Sequence, residues 1–132
     1  MEDFRGKFCV ILAGYKEPME EMIATNPGFD SRINRKIDFP DYTIEEMEQI
    51  FKLMLKDIKY NIEIEAMDAV KKVFDWHSKK KDFANARTIR NILDTLVEIQ
   101  CVRVDEDYDN RNDNERIIRV ADVKQYINEE LC

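Results

Sequence analysis

Hydrophobic positions change rhythm along this chain. Phe8 to Ala13 is an unbroken apolar run. A run without alternation suits a strand covered on both faces, as in a parallel sheet between helices, and such a strand needs neighbours. Pro18 stands where a first helical residue would, and Met19, Met22 and Ile23 follow at helical spacing. Asn26-Pro27-Gly28 ends that helix. Lys36 to Phe39 is a second short strand candidate, stopped by Pro40.

After Pro40 the apolar period becomes helical. Thr43-Ile-Glu-Glu46 reads as a capping box, followed by Met47, Ile50, Phe51, Met54, Leu55 and Ile58 on one face. A further helix is predicted from about Glu63 to Lys79, with Met67, Val70, Val73 and Phe74 inward. Asn85 is placed to cap the longest helix, whose inner face carries Ile89, Leu93, Leu96, Val97 and Val104. Asp105 to Glu115 is a charged connector. Ile117 to Val120 is a short extended piece, and Asp122 is expected to cap a last helix with Val123, Tyr126 and Ile127. The pattern gives a mostly α fold. A fragment of α/β core with one or two strands spans residues 1–41, and a small helical domain spans 42–132.

Composition narrows the function. The 132 residues are 44% hydrophobic, enough for a core, and three Gly with three Pro argue against a turn-rich all-β fold. A net charge of −7 disfavours nucleic acid as a partner. No stretch approaches the ~20 apolar residues of a membrane span, and Met1-Glu-Asp-Phe-Arg is not a signal peptide. Cys9, Cys101 and Cys132 are odd in number and far apart, which reads as free thiols in a reducing cytoplasm.

Candidate chemistry rests on arginines. Arg32 lies beyond the Pro-Gly turn in Phe29-Asp-Ser-Arg-Ile-Asn-Arg35, where its planar, permanently charged fork can meet phosphate oxygens or pair locally with Asp30 or Asp38. Arg35 is a second candidate. Arg87 follows Phe83-Ala-Asn-Ala at the head of the long helix, with Arg90 one turn on. Cations at a helix N-terminus oppose the macrodipole. A nucleotide phosphate would offset that, as would a local pair with Asp82 or Asp94. The phosphate cradle itself is missing. There is no G-x-x-x-x-G-K-[ST] motif, and Gly6-Lys7 is followed by Phe8 instead of a magnesium-binding Ser or Thr. No metal site is expected. Asp105-x-Asp107-x-Asp109 resembles the start of a calcium loop, but its sixth position is Asn110 and its twelfth is Arg116. His77 is the only histidine and has no ligand partner at zinc spacing.

Four blocks in order resemble the C-terminal part of an AAA+ ATPase module, in the group of the stage V sporulation protein K ATPases and the CbbX-type rubisco activases. They are Val10-Ile-Leu-Ala-Gly-Tyr15, Asn26-Pro-Gly-Phe-Asp-Ser-Arg-Ile33, Ile37-Asp-Phe-Pro-Asp-Tyr42 with Glu45-Glu46, and Phe83-Ala-Asn-Ala-Arg-Thr-Ile-Arg-Asn91. The resemblance implies that Phe8–Ala13 is the sensor-1 strand, with Tyr15 at the position where many such proteins place Asn or Thr. It implies that Arg32 is the arginine finger acting on a neighbouring subunit. It makes Arg87 the sensor-2 arginine that contacts nucleotide phosphate in its own subunit, with Arg90 beside it. Ala84 stands where the group commonly has Gly. The Walker A and B elements of the family would lie upstream of Met1, so the chain is expected to be part of a longer protein and inactive alone.

The function implied is the sensor, finger and lid portion of a ring-forming, hexameric ATPase. It would bind Mg-ATP, contact neighbouring AAA+ subunits and remodel a protein substrate, with neither nucleic acid nor membrane as partner. The alternative is a non-catalytic helical interaction module of the same lid architecture.

Overall fold

The computed structural model describes residue 6, residues 9–106 and residues 116–131. The chain divides into two compact units, Met1–Pro40 and Asp41–Cys132.

In the first unit, helix α1 spans Lys16–Thr25 and helix α2 spans Phe29–Arg32. Pro18 is the third residue of α1, not the first. The position still suits proline, because the first four helical N–H groups have no partner inside the helix. Gly28 precedes α2 with φ 91°, a left-handed conformation that a side chain would strain. The strands expected at 8–13 and 36–39 are not formed among the described residues: residues 9–15 and 33–43 carry no ladder. A strand exists by pairing, and no described segment pairs with either. Val10, Ile11 and Leu12 are correspondingly exposed.

The second unit holds helices α3 (Ile44–Asp57), α4 (Ile64–Ser78), α5 (Ala86–Glu106) and α6 (Val120–Tyr126), the last continuing as a π-helical turn over Ile127–Leu131. Strands β1 (Asn61–Ile62) and β2 (Ile117–Ile118) pair in parallel, Asn61 opposite Ile117 and Ile62 opposite Ile118. The mostly helical class expected from the sequence is therefore what the molecule has, with its short strands inside the helical unit.

Local chemistry sets the ends of α3. Thr43 Oγ1 accepts from the Glu46 N–H at 3.2 Å, and Glu46 Oε2 accepts from the Thr43 N–H at 3.1 Å, the reciprocal bonds of a capping box. At the other end, Tyr60 N–H donates to Leu55 carbonyl at 2.9 Å and Lys59 N–H to Lys56 carbonyl at 3.1 Å, with Lys59 left-handed at φ 59°. This is a Schellman motif carrying lysine where glycine is usual.

The core forms where the helical faces meet. Met47, Phe51 and Leu55 of α3 are buried with Met67, Val70, Val73 and Phe74 of α4, and Ile89, Ile92, Leu93, Leu96 and Ile99 of α5. Ile118, Val123 and Tyr126 close the same core. Phe51 and Phe74 meet edge to face with centroids 5.6 Å apart, a favoured aromatic geometry.

Asp122 is not the cap of α6. It is the third helical residue, because Val120 already begins the helix. Its fully buried carboxylate accepts from the Arg119 N–H at 2.8 Å and from the Arg103 guanidinium of α5, Nε at 2.7 Å and Nη2 at 3.2 Å. Arg103 Nη2 also donates to the Ile117 carbonyl at 3.3 Å, so one side chain ties α5 to both β2 and α6.

Candidate functional site

Arg87 and Arg90 lie at the start of α5, Arg87 as its second residue and Arg90 one turn on, both exposed. Among the described residues neither guanidinium has a hydrogen-bond or ion-pair partner. Asp82 and Asp94, the local partners open to Arg87 in the sequence, do not pair with it. Two cations thus stand at the positive end of a 21-residue helix without compensation, an arrangement that favours an anion at that end.

The loop before them is built tightly. Phe83 packs against the core, and the Ala84 N–H donates to Thr88 Oγ1 at 2.8 Å. Asn85 does not cap α5 with its side chain. Its carbonyl accepts from the Ile89 N–H at 3.1 Å, but its backbone is left-handed at φ 51°. A capping side chain needs extended backbone to reach the following amides. The Asn85 side chain instead holds the chain at the entrance of the helical unit. Oδ1 accepts from the Tyr42 N–H at 3.0 Å, and Nδ2 donates to Asp41 Oδ1 at 2.9 Å. Sequence reasoning missed this link, although an asparagine just ahead of a helix signals left-handed backbone as well as a cap.

In the first unit, Arg32 is the last residue of α2 and is exposed. Its Nη1 lies 3.7 Å from where a Cβ on residue 28 would sit, so the side chain lies back over Gly28. Asp30 is engaged by Lys36 at 2.8 Å, and Asp38 lies 3.7 Å from Lys16. The hydrogen bond to Asp30 raises the Lys36 pKa above its ordinary value. Tyr15 directly precedes α1 and is 84% exposed. Arg35 is exposed beyond α2.

His77 is half-buried, its Nε2 3.0 Å from the Tyr126 hydroxyl and its ring edge-on to Trp76. Burial lowers its pKa, partly offset by Asp82 and Glu130. Burial also pushes the Tyr126 phenol up to about 12. No group of three metal-ligating side chains occurs among the described residues. Asp107 and Asp109 of the acidic tract lie outside them. Cys9 and Cys101 are free and exposed, and Cys132 is also outside the described residues. None of the described helices is long and apolar enough to cross a membrane.

Residues 43–131, the helical unit almost entire, match the AAA lid domain family. The chain belongs to that family. Relatives of this lid include a CfxQ homolog of Trieres chinensis, 47% identical over 71% of this chain and 32% of its own length. CfxQ of Xanthobacter flavus is 43% identical over 80% of this chain and 33% of its own length. The chloroplastic ribulose bisphosphate carboxylase/oxygenase activase of Cyanidioschyzon merolae is 36% identical over 79% of this chain and 34% of its own length. The chain spans about a third of the length of these curated relatives. They are named for CfxQ and rubisco activase, and none of the three for the sporulation protein. The α5 arginines and Asn85 fall inside the matched lid, and the Asn85 partners Asp41 and Tyr42 stand immediately before it.

Proposed function

We propose that this chain is the sensor, arginine-finger and lid portion of a longer, ring-forming AAA+ ATPase of the CbbX type. It would couple ATP binding and hydrolysis to remodelling of a protein substrate, in a hexameric, cytoplasmic assembly. The observation that supports this reading best is the pair of guanidiniums at the start of α5 of an AAA lid, Arg87 in its first turn and Arg90 one turn on, without a partner among the described residues. The kinship with CfxQ and rubisco activase supports the CbbX assignment.

ATP supplies the phosphoryl group whose transfer to water drives such machines. The residues present fit part of it. Arg87, with Arg90 beside it, would hold a phosphate of the nucleotide in its own subunit, where the helix N-terminus adds its own positive field. Arg32 would reach a neighbour's nucleotide and neutralise charge that develops as the phosphoryl group moves, an effect worth ~10³–10⁵ in rate for such fingers. Tyr15 would sit at the sensor-1 position. The cradle and the magnesium ligands would belong to a portion of the longer protein that this chain does not span.

The test uses the longer gene product. Arg32→Ala is expected to remove most ATPase activity while leaving nucleotide affinity nearly intact, because the finger meets the transition state and not the ground state. Mixing it with a subunit dead in Walker B but intact at Arg32 should restore part of the turnover. Near-normal hydrolysis by Arg32→Ala alone would overturn the finger assignment and turn attention to Arg35. Sustained ATP turnover by the 132-residue chain alone would overturn the division of labour.

A further inference from the structure

We propose that Asn85 is a positioning residue that locks the first turn of α5, and with it Arg87, to the residues through which the chain enters the helical unit. This rests on the reading of Arg87 as a phosphate-binding residue. Asn85 stands two positions before Arg87. Both polar ends of its side chain are committed across more than forty residues of sequence, Oδ1 to the Tyr42 N–H and Nδ2 to the Asp41 carboxylate.

The assignment of its two ends is forced. The Tyr42 N–H needs an acceptor and the Asp41 carboxylate needs a donor, and an amide offers the two on separate atoms of one side chain. Its backbone is held left-handed, a conformation that asparagine tolerates better than other residues with side chains. Its carbonyl meanwhile accepts from the Ile89 N–H, so the residue is also the first link of α5. Thr88 fastens the same turn from the other side through the Ala84 N–H.

The consequence is mechanical. Tyr42 directly precedes Thr43, the cap of α3. Any displacement of residues 41–42 must either break two hydrogen bonds or carry the start of α5 with it. Arg87 therefore moves with the entering chain, and a nucleotide phosphate held by Arg87 is felt at Asp41 and Tyr42. Asn85 touches no nucleotide in this account. It acts through Arg87.

An exchange of the two side chains tests this. Asn85→Asp removes the donor and sets two carboxylates face to face. Asp41→Asn combined with Asn85→Asp returns a donor at 41, and Asp at 85 still accepts from the Tyr42 N–H. Nuclear magnetic resonance of the 132-residue chain should show the Tyr42 and first-turn α5 amides shifting together in Asn85→Asp and returning in the exchanged pair. In the longer ATPase, Asn85→Asp should raise KM for ATP about two- to tenfold, the range of one or two lost hydrogen bonds, with a smaller change in kcat. The exchanged pair should restore KM. Asn85→Gly, which keeps the left-handed backbone but loses the side chain, serves if Asn85→Asp does not fold, and it should raise KM in the same range.

A raised KM in Arg87→Ala beside an unchanged KM in both Asn85 variants overturns this inference and leaves the reading of Arg87 standing. An exchanged pair that recovers the melting temperature but not KM also overturns it. If Arg87→Ala leaves KM unchanged too, the phosphate reading falls, and this inference with it.

Discussion

Arg103 on α5 and Asp122 on α6 form a two-bond fork, Nε to Oδ1 at 2.7 Å and Nη2 to Oδ2 at 3.2 Å. The two ends differ in environment. The Asp122 side chain is 1% exposed and that of Arg103 25%. Removing Arg103 strands a carboxylate in the core, whereas removing Asp122 leaves a guanidinium that can turn toward water. Arg103→Leu should therefore cost about 3 kcal/mol or more, near the range for breaking a buried pair, and Asp122→Asn should cost less. Urea unfolding of both variants measures the difference, and an equal or reversed order would refute the argument.

Lys59 ends α3 in left-handed backbone that strains its side chain. Lys59→Gly should stabilise the unit by about 0.5–1 kcal/mol, since glycine meets no such penalty and its greater unfolded-state freedom offsets only part of the gain. The check is the midpoint of denaturation at unchanged slope.

His77 gives the helical unit a dependence on pH. Its pKa is lowered in the fold, so the unfolded chain takes up the proton first. The stabilisation from neutral His77 is complete above the ordinary value of 6.5 and is lost as pH falls through 6.5 toward the lower folded value. Glu48, held low by Lys52 and Lys71, titrates in a separate window below its ordinary 4.5. Stability should therefore decline as pH falls from about 7 through 6.5. His77→Gln should flatten that segment of the curve, and an unchanged decline in the variant would assign it to other groups.

Among the described residues Arg87 has no partner at the head of α5, where its charge opposes the helix dipole. Arg87→Ala in the 132-residue chain should leave stability unchanged or raise it by about 0.3–1 kcal/mol. A clear fall in melting temperature would show that Arg87 holds the lid together, and its role as a phosphate ligand would lose its physical basis.

Cys9–Ala13 have no ladder partner among the described residues, while Ile89, Ile92, Leu93, Leu96 and Ile99 lie in the core. Hydrogen exchange should be fast in 9–13 and slow in the middle of α5. Equal protection would mean that the apolar segment pairs, for example with a second copy.

Much of the helical unit was legible in the sequence because its causes are local. The Thr43–Glu46 box depends on residues three apart. The stripes of Met47, Phe51 and Leu55 or of Ile89, Leu93 and Leu96 repeat at the helical period, which fixes both the element and its inward face. The order of the four motif blocks pointed to the AAA lid in the same way. What sequence could not supply were the choices made between distant residues. Asp122 had the chemistry of a cap, but the Arg103 guanidinium drew its carboxylate into the core. Asn85 had the position of a cap, but its backbone turned left-handed and its amide found Asp41 and Tyr42. The run at 9–13 had the composition of a strand, and a strand forms only when another segment supplies the hydrogen bonds. Periodicity and capping are set within a turn or two of chain, whereas partners for a buried charge, an amide or a strand edge come from packing, and only the tertiary structure decides them.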